Sequence, residues 1–292
     1  MEQWIFTKDE VLNSPSITHD GLSAAEEQQT RSKGCLFIQA IGCQLGLPQN
    51  TVATAMVYFH RFYMRYCFSD FSSDYLAATC IYLACKVEES SRKVNDVATA
   101  CMMNRCVQDA RNEEKQKVHQ AFRTATLWHE RLLLETLCFD LTVDHPHQLV
   151  LEFANELEAP DNVTQAAFGF ANDSLRRPLC LIYDPQMIAA ACVLLGYRLS
   201  SVRLPLGADT IWGKTLQQQS DLLADIVGDM MTVYSDTSIE LSPNSNSPKT
   251  RLTPSSYSSP SHRRTNGHHK SSSLRNGYTD NARRPQTTTS ES

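Results

Sequence analysis

The chain has 292 residues, a formal net charge of −5 and 41% hydrophobic residues, a length that suits about two domains. Its composition breaks near residue 235: the last 57 residues hold 14 Ser, 8 Thr and 5 Pro but only 7 hydrophobic side chains, too few to offset the entropy of ordering them. That tail carries +4, which leaves the first 235 residues at −9, so an acidic folded body and a disordered basic tail are expected. The longest apolar run, near Met187–Tyr197, is far short of the roughly 20 residues of a membrane span. The first ten residues show neither the basic nor the apolar region of a signal peptide. All ten cysteines lie in the body, most among Ala, Leu and Ile as in Leu76–Cys85. That pattern suits reduced, buried thiols in an intracellular, soluble protein better than a secreted disulfide framework.

The body shows helical spacing nearly throughout and no alternating strand pattern. Thr7 with Glu10 forms a capping-box signature for a short helix ending before Ser14-Pro15. A long helix over 24–45 follows, broken by Gly46-Leu47-Pro48, and Pro48 suits the first turn of the next one, 51–66. Ser72 or Ser73 then opens a segment to about Glu89 that is apolar nearly all round, the mark of a central, buried helix. Helices over 93–103 and 113–137 complete this series. After Asp144-His145-Pro146 it restarts: 146–157, 164–175, 185–197, a short turn around Trp212, and 219–234. Asp161 reads as an N-cap, and Asp184-Pro185 as an N-cap followed by N1.

An internal repeat supports the restart. Ala77–Leu83 superimposes on Ala189–Leu195 at an offset of 112, with Ala, Ala, Cys and Leu shared, and the same offset aligns Ala55 with Ala167 and Lys86 with Arg198. The expected architecture is all-α: two repeats of about five helices each. Residues 1–21 form an N-terminal helix and linker, 22–143 the first repeat, 144–235 the second, and 236–292 the tail.

No pattern nominates an enzyme, a cofactor or a metal. Gly213-Lys214-Thr215 resembles the end of a phosphate-binding loop, but the required upstream glycine position is Ala208 and no strand precedes it. The pairs Cys80/Cys85 and Cys101/Cys106 have four residues between them and no companion His, which does not suit zinc. His145 and His147 flank Pro146 and read as polar residues of a helix start rather than as ligands.

Three segments carry a family resemblance: His60-Arg-Phe-Tyr-Met64, Lys86-Val-Glu-Glu89 and Phe139–His147. In this order, with Trp4–Thr7 and Phe170–Leu175, the body resembles a cyclin, and within that family the transcription-associated cyclin K and cyclin T type. The resemblance implies a tandem cyclin-box fold and a heterodimer with a transcriptional cyclin-dependent protein kinase in the nucleus. The substrate of that complex would be the C-terminal domain of RNA polymerase II, in support of transcription elongation. The chain itself would be non-catalytic, with no direct nucleic-acid contact and no membrane contact expected.

Lys86 and Glu130 match the family's kinase-contacting pair, and Leu134 and Phe139 fall on its kinase-facing positions. From the residues alone, Lys86 also reads as an end-of-helix cation stabilised by the helix dipole, and Glu130 as a solvated charge. Cell-cycle cyclins carry Asp where this chain has His60, paired with an Arg matching Arg31, so Arg31 needs another partner or water. The long first helix lacks their apolar substrate-docking patch. In the tail, Ser242, Ser247, Thr253 and Ser259 each precede Pro and are acceptable sites for a proline-directed kinase. Two rival readings stay open: a nucleic-acid-binding tandem cyclin fold resembling general transcription factor IIB, and a cyclin-like scaffold that activates nothing. The first would need a basic body and a zinc ribbon, whereas the body is at −9 and its first 34 residues hold no Cys.

Overall fold

The computed structural model describes residues 2–105, 111–205, 212 and 219–240. Among them lie eleven α-helices, two 3-10 turns (Glu2–Trp4 and Pro178–Leu181) and no strand. The helices are α1 (Lys8–Leu12), α2 (Pro15–Thr18), α3 (Ala24–Gln44), α4 (Gln49–Phe62), α5 (Ser73–Val87), α6 (Val94–Arg105) and α7 (Asn112–Thr136). They continue with α8 (Pro146–Glu156), α9 (Asp161–Ser174), α10 (Pro185–Leu199) and α11 (Ser220–Glu240). No helix among the described residues is long and apolar enough to cross a membrane.

Local chemistry accounts for several of the helix ends. Thr7 and Ser23 both build capping boxes: the hydroxyls accept the N–H of Glu10 and Glu26, whose carboxylates accept the N–H of Thr7 and Ser23 in return. Asp184 caps α10 through the N–H of Gln186, as its position before Pro185 predicts. Asp161 is not an N-cap. Pro160 takes that place with extended angles, so Asp161 becomes the first helical residue and sets its charge against the helix N-terminus. The third helix ends at Gln44 with Gly46 in the left-handed region (φ 60°) and the N–H of Leu47 on the carbonyl of Gly42. Cys138, Glu158 and Ser201 play the glycine's part after α7, α8 and α10, at φ 53°, 47° and 54°. A non-glycine residue there costs about 1–2 kcal/mol.

The two most apolar helices are central. α5 packs on α3, α4, α6 and α7, and α10 on α8, α9 and α11. Adding 112 to Gln49–Phe62 gives Asp161–Ser174, and adding it to Ser73–Val87 gives Pro185–Leu199, so α4/α9 and α5/α10 correspond residue for residue. The expected short turn around Trp212 falls in a segment of which only Trp212 is described, buried against Phe153. Small residues permit the close crossings. Ala55, Ala77, Ala84, Ala167 and Ala189 are fully buried. A Cβ on Gly196 would stand 2.7 Å from the Val163 carbonyl oxygen of α9.

Two hydrophobic clusters result, one centred on Phe59, Phe62, Ile81 and Leu133, the other on Val150, Ile188, Val193 and Ile226. Leu175, at the end of α9, inserts into the first cluster. Polar contacts run along the same seam. Asn172 Oδ1 accepts from Gln49 Nε2 at 2.7 Å and from His147 Nε2 at 2.8 Å. The N-terminal segment spans both clusters: Trp4 is buried under the guanidinium of Arg61, the Phe6 N–H donates to the Leu181 carbonyl at 2.7 Å, and Lys8 pairs with Asp229 at 3.0 Å.

Candidate partner-binding site

Lys86 lies in the last turn of α5, where a cation complements the helix dipole. Because α7 packs along α5, its Glu130 comes within reach, and Lys86 Nζ donates to Glu130 Oε1 in a salt bridge. The pair is neither buried nor free: 44% of the Lys86 side chain is exposed and 19% of that of Glu130. On its other side the ammonium lies 4.2 Å from the centroid of the Tyr82 ring. Burial opposes the charge on Lys86, but the hydrogen bond and charge of Glu130, with Tyr82, outweigh it and hold the ammonium above the ordinary lysine pKa.

One turn beyond Glu130, Leu134 is half-buried against the first cluster. The helix stops two residues later in a cap that ties this position to Phe139: the Cys138 N–H donates to the Glu135 carbonyl at 3.1 Å and the Phe139 N–H to the Leu134 carbonyl at 3.0 Å. Cys138 and Phe139 are both left-handed, at φ 53° and 57°. This strained cap leaves 67% of Phe139 exposed, an unusual position for a phenylalanine. The structure thus joins Lys86 to Glu130 by a salt bridge, Glu130 to Leu134 along one helix face, and Leu134 to Phe139 through the cap. Sequence reasoning missed two neighbours, Tyr82 and Leu127. Leu127 precedes Glu130 by three residues and is 43% exposed, and its i−3 spacing was the available signal. The arrangement sets a charged pair beside the partly exposed Leu127 and Leu134, with one projecting aromatic ring, Phe139.

Two further polar clusters lie elsewhere in the helical body. Thr54 donates to Glu88 Oε1 at 2.6 Å and receives His145 Nε2–H at 2.8 Å. The arrangement mimics a nucleophile beside its base, yet the Thr54 side chain is fully buried. Burial, with His147 and Arg61 nearby, pushes the His145 pKa down to about 4. Arg31 does have a partner. Its guanidinium, fully buried, donates to Glu27 Oε1 from Nε at 2.9 Å and Nη2 at 2.6 Å, and to the carbonyls of His60 and Tyr63. Ser14 donates a further bond to the same carboxylate oxygen at 3.2 Å. The i,i+4 spacing of Glu27 and Arg31 was legible in the sequence and passed over. Among the described residues no group of three or more His, Cys, Asp or Glu could hold a metal ion, and the cysteines there are free thiols. Ser242, Ser247, Thr253 and Ser259 lie outside the described residues, as do Cys106 and Gly213-Lys214-Thr215.

Residues 4–142 match the family described as cyclin, N-terminal domain. Cyclin pch1 of Schizosaccharomyces pombe is 42% identical over 211 residues, which cover 71% of this chain and 61% of that protein. Cyclin-K of Homo sapiens is 34% identical over 245 residues, covering 80% of this chain and 41% of that one. The chain belongs to the cyclin family. This cyclin spans less than two thirds of the length of these relatives. Its fold matches a chain in the structure of the yeast RNA Pol II CTD kinase CTDK-1 complex, with a TM-score of 0.64 at 19% identity, over 80% of this chain and 74% of that one. The all-α tandem architecture read from the helical spacing is therefore the cyclin fold.

Proposed function

We propose that this cyclin is the non-catalytic regulatory subunit of a transcription-associated cyclin-dependent kinase. The observation that carries the reading is the closed Lys86–Glu130 pair, linked to Leu134 and the projecting Phe139, at positions matching the family's kinase contacts. The functional unit in this reading is the pair of repeats, 22–143 and 144–235, with residues 1–21 as a strap across them. All phosphoryl-transfer groups belong to the kinase. The cyclin holds the kinase's C-helix inward, so that its Glu pairs with the β3 Lys, and orders the activation loop. Such activation requires tighter binding to the active kinase conformer than to the inactive one.

The similarity to Cyclin-K, and His60 where cell-cycle cyclins carry Asp, favour the transcriptional branch. They support the C-terminal domain of RNA polymerase II as the substrate of the complex and the nucleus as its compartment. The tail sites Ser242, Ser247, Thr253 and Ser259 are candidates for the partner's own proline-directed activity. Purification of the chain from its native cells, with kinase assay of the eluate on a polymerase-tail peptide, tests the reading. A stoichiometric protein kinase whose activity is lost in a Lys86→Glu/Glu130→Ala double variant is the expected result. Promoter DNA and polymerase without a kinase would overturn it in favour of the transcription-factor-IIB-like role. Phosphorylation that survives the double variant would leave only a scaffold.

A further inference from the structure

Lys86 has an interaction on each side, and only one of them is the carboxylate. Tyr82 precedes it by four residues on α5, the spacing that stacks two side chains on one helix face. The Tyr82 ring packs against the first hydrophobic cluster, so its position is set by the core. The Lys86 ammonium lies 4.2 Å from the ring centroid, within the range where the negative face of an aromatic ring attracts a cation. With Glu130 on the other side, the ammonium is held from two directions although 44% of the side chain is exposed.

We propose that Tyr82 is a positioning residue for kinase docking: its ring fixes the Lys86 ammonium against Glu130 before the kinase arrives. The inference rests on the reading of Lys86 and Glu130 as kinase contacts. A lysine side chain loses much rotamer freedom when it is held in one geometry, and a side chain ordered in advance spares that part of the cost of association. An aliphatic residue of similar bulk at position 82 would keep the packing and lose the attraction to the cation. Phenylalanine would keep both the packing and the ring face.

The test compares Tyr82→Phe and Tyr82→Leu in the full chain, with Tyr82→Met as a second aliphatic variant. Each is made with Lys86 intact and in a Lys86→Met background. Circular dichroism first confirms that each variant is folded. Nitrogen-detected NMR titration of the Lys86 Nζ in the free cyclin should show a lower pKa with Leu or Met than with Phe. Affinity for the co-purifying kinase should fall about threefold to tenfold with Leu or Met and less than about twofold with Phe. In the Lys86→Met background the Leu and Met variants should change affinity by less than about twofold. Equal losses in both backgrounds, or no loss with Lys86 present, would overturn the positioning role. Wild-type affinity for Lys86→Met alone would instead overturn the underlying reading of the pair, so the two failures are distinguishable.

Discussion

His60 Nε2 lies 2.9 Å from the carbonyl oxygen of Leu175, joining α4 to the residue that closes α9. A carbonyl only accepts, so Nε2 carries the proton, and Nδ1 faces the donor Nη1 of Arg31 at 3.4 Å. The imidazole is therefore neutral. Burial, with the Arg31 charge beside it, pushes its pKa down to about 3 against the opposing bond to Leu175.

That neutrality sets an acid limit on the fold. The His60 and His145 pKa values are depressed to about 3 and about 4 in the folded chain, whereas an unfolded histidine titrates near pH 6.5. The unfolded state binds more protons below that value, so stability is full above about pH 6.5 and falls as pH drops toward the folded values. At pH 5 each histidine should cost roughly 2 kcal/mol. Urea midpoints measured from pH 7.5 to 5 should decline, and a His60→Gln/His145→Gln variant should decline less steeply. A midpoint flat across that range would refute the account.

The Arg31–Glu27 pair should be costly to break and cheap to replace. Both side chains are almost wholly buried, and removing one partner of a buried pair strands the other charge, typically at about 3–5 kcal/mol. Glu27→Gln should therefore destabilise by about that much in urea unfolding. The double variant Glu27→Leu/Arg31→Met should lose less than the sum of the single changes. Additive losses would mean that the two side chains do not interact as drawn.

Two glycines should respond in opposite directions to alanine. A Cβ at Gly196 meets the backbone of α9 at 2.7 Å, whereas a Cβ at Gly169 meets nothing within 4 Å. Gly196→Ala should cost about 1–3 kcal/mol through overpacking. Gly169→Ala, in a helix interior with open space, should gain about 0.5–1 kcal/mol. Thermal melts of the two variants check the sign of each.

Phe139 separates stability from docking. With most of its surface exposed, Phe139→Ala should shift unfolding free energy by no more than about 0.5 kcal/mol. As an interface anchor it should nevertheless cost at least about 2 kcal/mol of kinase affinity. Calorimetry of the free variant and a pull-down titration against the kinase check the two halves. A large stability loss with unchanged affinity would reverse the assignment.

Much of the helical series was legible because its signals are local. The capping box at Thr7 and Glu10 and the Asp184-Pro185 start act within a few residues, and each appears where the sequence places it. The fourth helix shows the limit. Its apolar pattern runs to Tyr66, but the helix ends at Phe62, where Tyr63 turns out of helical geometry and its hydroxyl donates to the Phe71 carbonyl across the loop. Periodicity reports which side chains are apolar, not where the backbone stops.

By itself the sequence determined most of the helical series, the internal repeat and the identity of the central helices, but not the short α2 at Pro15–Thr18. Those properties follow from period, composition and caps, which are set by neighbours in the chain. Only the tertiary structure decided that Lys86 meets Glu130, that Ser14 reaches the carboxylate of Glu27 beside Arg31, and that His60 reaches the carbonyl of Leu175. Two of these contacts span 44 and 115 residues. Pairings at such separations depend on how α5, α7 and the end of α9 pack, a result of close-packed side chains that no local pattern encodes.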